Sequence, residues 1–528
     1  MAQSNVPSGS FPSTDSVGTP SSPSSTSSSS FSTAATANIS PDFASIPFTA
    51  GIPMASAISN TGAGAAGPGL GWRDPPKGLE LSQVHYLVRH GERTPVRTRL
   101  THIFPEKWNL CRAGREFDAT VLDLAPNAYN SIPPFEVGQI HPGKTAVMHS
   151  SIMRMRRSVE TESSRSGTGQ KDEEGECMLG QLTDLGRLST LRFGRELRGL
   201  YVDKLGFLPQ LLTSKDHDAM YFRSTNMSRT IESLEQVVRG LHSNAVQPNT
   251  AGQFIPKVLV RNGTDENLLP NTYGCSRLCA LDKAFADAAA RAINPSLEEF
   301  DSQLESVTGS IPRVDGRPRL NGIVDTVKAA QAHGFPMPAA LADQRMLRKF
   351  EEAVVAEWFS GYKALDPDQR LEFRRLAMGR FVNDLASRMS SRAEKGEQDP
   401  LKLAIYATHD TALAGMLCTL DCFDGRWPTF TASMGVELFK DTTAPKSSSI
   451  LGLLGLGSKP VQQHYVRVRY GDRDMQLPAC AAKGKHFEGR PELCTLEAFM
   501  DIAKSLQHPK GWTWEQQCAV GQGPRSSK

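Results

Sequence analysis

Val84-His85-Tyr86-Leu87-Val88-Arg89-His90-Gly91-Glu92-Arg93-Thr94-Pro95 opens as a strand and closes as a loop. Its first five residues are short, β-rich and mainly apolar, the pattern of a strand buried in the middle of a sheet. Arg89-His90-Gly91 follows at the carboxyl end. Two arginines, Arg89 and Arg93, flank the histidine in a tight loop containing glycine and proline. Guanidinium forks match phosphate oxygens in bidentate geometry and stay charged. A neutral imidazole between them presents a lone pair for nucleophilic attack, so His90 is the candidate nucleophile. Gly91 lets the backbone approach a ligand closely.

Two more strand ends carry matching chemistry. Ala219-Met220-Tyr221-Phe222 reads as a strand ending at Arg223, and Ser224-Thr225-Asn226 supplies caps for a helix carrying Ile231, Leu234, Val237, Val238 and Leu241. Arg229 then falls in the first helical turn, where free N–H groups and the macrodipole favour an anion. Leu403 to Ala407 reads as another buried strand, followed by His409-Asp410 and a helix from Thr411 to Leu417. A second histidine there can bind an anion, and the adjacent carboxyl can protonate a leaving oxygen.

The remaining elements fill in around these. Thr183 caps a helix running to Leu205, residues 283 to about 397 are mostly helical, and Val436–Lys440 with His464–Tyr470 reads as an antiparallel pair of edge strands. Strands followed by helices predict an α/β sandwich with the long helical stretch as a separate cap. Ligands of open α/β sheets bind at the carboxyl ends of the strands, where all three charged motifs fall.

Composition sets the bounds. The chain has 528 residues, 39% of them hydrophobic, and a net charge of +3. That charge is not gathered into a basic tract, so no nucleic-acid partner is expected. Residues 1–72 are rich in Ser, Thr, Pro, Ala and Gly and read as a disordered tail, leaving 73–528 as the folded domain. The nine cysteines are odd in number and widely spaced, and read as buried thiols. Cys275-x3-Cys279 and Cys418-x3-Cys422 match zinc-site spacings too loosely to predict a metal. No stretch predicts a transmembrane helix, since Phe43 to Ile58 is broken by Pro47 and Pro53. No Lys or Arg precedes Arg73, so neither a secretory signal nor a transit peptide is read, and a glycan at Asn226 would obstruct Arg229. The expected location is intracellular, cytoplasmic or mitochondrial. The sequence has no His-Glu-x-x-His and no Gly-x4-Gly-Lys-Ser/Thr loop, so no metal or cofactor is expected.

Taken together, Arg89 to Pro95, Arg223 to Arg229 and His409-Asp410 resemble the signatures of the histidine acid phosphatases, a branch of the histidine phosphatase superfamily. The resemblance covers roughly residues 80–520. Within the family the chain looks most like the lysophosphatidic acid phosphatase type, through Trp108-Asn109, Phe117-Asp118, Gly180 to Thr183, Glu266 to Asn271, Ala332-His333 and Phe423 to Pro428. The resemblance implies a three-layer α/β sandwich with a mixed central sheet, phosphoglycerate mutase-like. It also implies an insertion at about 101–180, a mostly helical cap at about 276–400, and a family cysteine pair mapping to Cys480 and Cys494, whose pairing is left open.

It further implies a two-step phosphoryl transfer to water. Arg89, Arg93, Arg229 and His409 would hold the phosphate, His90 would become phosphohistidine, and Asp410 would protonate the leaving alcohol, giving an acidic optimum. The expected partner is a small phosphate ester. One reading makes it a lysophospholipid, with peripheral membrane contact through the apolar run Ile450 to Leu456. The alternatives are a soluble phosphatase for sugar or inositol phosphates and a non-catalytic phospholigand-binding protein.

Overall fold

The computed structural model describes residues 70–122, 152–158, 175–242, 254–443 and 462–519. The expected tail up to residue 69 and the apolar run Ile450 to Leu456 lie outside the described residues. At the boundary, Leu70 and Trp72 are already buried, so packed structure begins slightly earlier than the composition shift suggests.

The run at Val84 belongs to β1 (Leu79–Arg89), the hub of a nine-stranded mixed sheet. With strands named in chain order, β2 is Met220–Ser224, β3 Val258–Leu259, β4 Leu403–Thr408, β5 Ser433–Asp441, β6 His464–Tyr470, β7 Arg473–Met475, β8 His486–Phe487 and β9 Arg490–Thr495. The order across the sheet is β8-β9-β6-β5-β1-β4-β2-β3, with β7 pairing on β6. The neighbours β1, β4, β2 and β3 run parallel, while β5, β6, β9 and β8 add antiparallel partners on the other side of β1.

Strand alternation puts a core on each face. Leu87, Ala404 and Tyr406 join Phe381, Leu385, Leu413 and Leu417 on one side. Tyr86, Val88, Ile405 and Ala407 join Phe193, Leu197, Leu234 and Val237 on the other. Three helices used below thereby cover the sheet: α1 (Asp184–Arg198), α2 (Ser228–Leu241) and, on the opposite face, α6 (Asp410–Thr419). The long helical stretch divides. Residues from Ala290 to Val354, including α3 (Leu320–Ala332) and most of α4 (Gln344–Trp358), form their own core with Leu100, Phe104 and Trp108, whereas α5 (Arg380–Lys395) packs on the sheet.

Two expectations are corrected. The pair β5 and β6 is interior, since β5 lies between β1 and β6, and β6 between β5 and β9. Its charged residues Glu437, Arg467 and Arg469 are fully buried. The Arg467 Nε donates to Glu437 Oε2 at 2.8 Å, and the Tyr201 hydroxyl donates to Glu437 Oε1 at 2.7 Å. Arg469 Nε lies 3.4 Å from Asp474, and the carbonyls of Leu70 and Arg73 accept from the two guanidiniums under the Trp72 ring.

The cysteines are not all thiols. Cys111–Cys177, Cys275–Cys518 and Cys480–Cys494 are disulfides, leaving Cys279, Cys418 and Cys422 free. Sequence separations of 66 and 243 hide the first two pairs from any local pattern. The bridge at Cys275 also removes that sulfur from any thiolate site with Cys279.

The buried charges generate a stability prediction. Glu437→Leu should cost roughly 3–5 kcal/mol in urea unfolding, because it strands buried guanidinium charge. Glu437→Leu with Arg467→Met removes a matched pair and should recover part of that loss. A double variant less stable than the single one would refute the charge-balance argument.

Candidate active site

The parallel ladder brings the three strand ends to one level. Arg89 stands opposite Thr408, and Ser224 opposite Ala407. Beyond the last pairs, the His90 amide donates to Thr408 O at 3.1 Å and the Thr225 amide to Ala407 O at 3.2 Å. Chain leaving β1, β2 and β4 is thus stitched together just where the charged motifs begin.

His90 is buried at 1% exposure, with its ring 5.5 Å from that of His409. Its Nδ1 lies 2.9 Å from Gly91 O. A carbonyl only accepts, so Nδ1 carries the hydrogen and Nε2 the lone pair. Burial, followed by the positive charges of Arg89, Arg93 and Arg229 and by His409, holds this imidazole well below the usual histidine range. It therefore stays neutral in acid. Gly91 is required for a different reason from the expected one: a Cβ there would lie 2.3 Å from Gly186 O, so the glycine admits the first turn of α1. Its amide donates to Ser233 Oγ at 3.1 Å, which ties the loop to α2.

Two of the three arginines are anchored by their Nη atoms, and each of the three leaves a donor over. Arg89 donates Nη1 to Pro428 O and Nη2 to Asp410 Oδ2, both at 2.6 Å. Arg93 donates Nη1 to Thr94 O at 3.0 Å and Nη2 to Asp325 Oδ1 at 2.8 Å. Arg229 has no ion pair among the described residues, and burial followed by Arg93 pushes it down to about 10. The Nε atoms of all three are buried without a partner. Buried unpaired donors are costly, and three on guanidiniums that all act on one imidazole make a seat for an anion.

His409 is the N-cap of α6, and its Nε2 lies 3.0 Å from Thr225 Oγ1. Burial and Arg229 push it down to about 3. Beside it, Asp410 Oδ1 accepts from the Thr411 amide at 2.8 Å, and Oδ2 accepts from Arg89 and from Trp427 Nε1 at 3.0 Å. Burial pushes this carboxyl up, but Arg89 and Arg93 outweigh it and hold it below the usual carboxylate range.

Arg89, His90, Arg93, Arg229, His409 and Asp410 all come together, and Arg223 does not join them. It pairs with Glu266, whose Oε1 also accepts from the amides of Asn267 and Leu268 at 2.8 Å. The expected caps are also absent from α2, whose N-cap is Met227 without a side-chain bond; Thr225 serves His409 instead. Sequence reading missed Asp325 and Trp427. Nothing local marks Asp325, and Trp427 was visible only as part of the Phe423 to Pro428 segment.

Comparison with known proteins identifies a family. The family profile of the histidine phosphatase superfamily (branch 2) matches residues 80–471. A probable acid phosphatase of Schizosaccharomyces pombe is 33% identical over 467 residues, covering 82% of this chain and 93% of its own. The human lysophosphatidic acid phosphatase type 6 is 24% identical over 372 residues, covering 69% and 74%. Among solved structures, the apo phytase of Hafnia alvei superposes with a TM-score of 0.48 at 14% identity, covering 83% of this chain and all of that one (100%).

Arg229 supplies the test of the anion seat. Arg229→Met removes a half-buried cation with no ion pair among the described residues, so the melting temperature in phosphate-free buffer should rise by roughly 1–3 °C. The stabilisation given by inorganic phosphate at about 10 mM should largely vanish. A lower melting temperature for the variant in the absence of phosphate would show that this guanidinium is already compensated.

Proposed function

The chain belongs to the histidine phosphatase superfamily, branch 2, and is an acid phosphatase, a phosphoric monoester hydrolase; we propose that His90 carries its phosphoryl group and Asp410 its proton. The observation that supports this most is the His90 tautomer, with Nδ1–H spent on Gly91 O and the Nε2 lone pair free amid three arginines.

The first step forms a bond from Nε2 to phosphorus and breaks the ester P–O bond. The bonding pair leaves on the alcohol oxygen, which takes the Asp410 proton. Arg89, Arg93 and Arg229 offer Nε–H donors to the phosphoryl oxygens, and His409 adds a further contact. Phosphorylation makes the ring cationic, and the Gly91 carbonyl on Nδ1–H stabilises that charge. In the second step the Asp410 carboxylate takes a proton from water as its oxygen attacks phosphorus. The P–N pair returns to Nε2 and inorganic phosphate leaves. The proton demand on Asp410 is met on binding, because a phosphate anion beside it raises the carboxyl that the arginines otherwise hold down. The need for a protonated Asp410 points to acid, because it loses its proton as pH rises, and the lowered His90 permits it by keeping the imidazole neutral there.

For the leaving group, a lysophospholipid is supported by exposed apolar side chains at the mouth. Met178 and Leu179 are 51% and 58% exposed, and Val96 is 43% exposed. They adjoin the site, since a Cβ on Gly180 would lie 3.5 Å from Val96 Cγ1 and 3.8 Å from Arg229 Nη1. Arg97 and Arg99, which line a shallow cleft with Trp108 and Leu179, support the second reading, a multiply phosphorylated polyol. No helix among the described residues is long and apolar enough to cross a membrane. Three disulfides favour an oxidising compartment over the reducing one expected from the N-terminal sequence.

Hydrolysis of an aryl phosphate at about pH 5 with EDTA present is the primary test, because the arginines themselves supply the positive charge. His90→Ala should lower turnover by roughly 10³-fold or more. Undiminished turnover in the variant would overturn the nucleophile. Leu179→Asp should raise KM for lysophosphatidic acid at least about 5-fold while sparing the aryl phosphate. Equal effects on both substrates would remove the lipid reading.

A further inference from the structure

We propose that Trp427 is a positioning residue for Asp410: its indole N–H fixes the carboxyl toward the leaving oxygen, and the helical cap holds the indole in place. The inference rests on Asp410 being the acid, and concerns a residue with no titratable group of its own.

Three donors reach the Asp410 carboxyl. The Thr411 amide takes Oδ1, while Arg89 Nη2 and Trp427 Nε1 share Oδ2 at 2.6 and 3.0 Å. Of these, Arg89 is proposed to turn its charge on the phosphate, so its hold on Oδ2 loosens during the reaction. The indole has no such second duty. It keeps one side of Oδ2 and leaves the side facing Arg89 for the proton. The adjoining residue completes the arrangement, because the Pro428 carbonyl accepts from Arg89 Nη1 at 2.6 Å. Two consecutive residues therefore hold both members of the Arg89–Asp410 pair, one by a donor and one by an acceptor.

The indole is itself held from outside the sheet. Its backbone amide donates to Glu351 Oε1 on α4 at 2.8 Å. The other oxygen of Glu351 pairs with Lys328 on α3. The ring stands edge-on to Trp358 at 5.7 Å and lies 5.6 Å from Phe359. On α3, three residues before Lys328, Asp325 takes Arg93 Nη2 at 2.8 Å and the Val96 amide at 3.3 Å. One helix of the cap thus reaches the phosphate loop directly and the acid through Glu351 and Trp427.

The charged groups that face Asp410 are Arg89 from β1, Arg93 from the loop after it, Arg229 from α2 and His409 beside it. All of them remain when the indole N–H is removed. Losing that donor disfavours the carboxylate, so the acid keeps its proton to higher pH.

The test compares Trp427→Phe, Asp410→Asn and Phe359→Leu on p-nitrophenyl phosphate and on glycerol 2-phosphate. The aryl leaving group needs little protonation; the alkoxide needs it. Trp427→Phe keeps a ring and loses the N–H. It should lower kcat/KM on glycerol 2-phosphate by roughly 5–20-fold and on the aryl ester by less than about 2-fold. The alkaline limb of its kcat profile should move up by about one pH unit, the worth of one hydrogen bond to a charged group. Phe359→Leu loosens the packing with the N–H in place, and should lower the melting temperature without moving that limb. Equal losses on both substrates, an unmoved limb, or a limb moved as far by Phe359→Leu would each overturn the proposal. Asp410→Asn separates the two levels of inference. If it spares glycerol 2-phosphate turnover, the assignment of the acid itself fails. If it abolishes that turnover while Trp427→Phe changes nothing, only the role of Trp427 falls.

Discussion

The Arg89–Asp410 ion pair is the contact on which the site is built. It joins the last residue of the central strand to the first residue of α6, and both partners are nearly dry. A buried pair of this kind earns little net stability, since desolvation offsets most of the Coulomb attraction. What it fixes is geometry. Arg89 is already aimed when an anion arrives, and Asp410 is already beside the oxygen it is proposed to protonate. The charge is shared, so an incoming phosphate changes the balance at once: it takes positive charge from Asp410 and makes its proton easier to keep.

The fold delivers that contact through the parallel register of β1, β4 and β2. Because these strands are hydrogen-bonded neighbours, residues at equivalent ladder positions end at one height, and each motif starts where its strand stops. On β1, β4 and β2 most side chains on both faces are apolar and packed, so the polar groups of the site gather at the strand ends. The glycine contact between Gly91 and Gly186 then lets α1 sit tightly against the loop after β1. A side chain at either position would push the loop away from the strand ends it must meet.

The parts that were legible in the sequence are those in which one segment carries its own cause. The apolar runs at Val84 and Leu403 announce buried strands, and Arg89-His90 and His409-Asp410 close behind them announce the site. Thr183 caps α1 because its side chain accepts from the Gly186 amide a few residues on. What was not legible depends on distant partners. Val436–Lys440 and His464–Tyr470 read as edge strands because what lets them be interior is distant: Glu437 and Arg467 compensate each other across two strands, and the Arg73 carbonyl that accepts from Arg467 lies 394 positions away. The bond from Asp325 to Arg93 spans 232 positions, and Cys275 to Cys518 spans 243. No periodicity or spacing rule acts over such intervals.

Acid chemistry in this site sets two conflicting requirements, and the structure answers them with the same charges. The proposed nucleophile His90 must be unprotonated at low pH, which burial and then the clustered guanidiniums enforce. The proposed acid Asp410 must be protonated at the same pH, which burial favours and those guanidiniums oppose by attracting it as an anion. The conflict disappears once the guanidiniums are neutralised by the substrate's own phosphate. Before binding, the site is set to receive an anion; after binding, the same arginines are occupied, and burial becomes the dominant influence on Asp410. In the proposed mechanism, substrate binding and arming of the acid are then one electrostatic event. In that mechanism a neutral ligand of the same shape leaves Asp410 ionised, so the site would discriminate for phosphate by protonation as well as by fit.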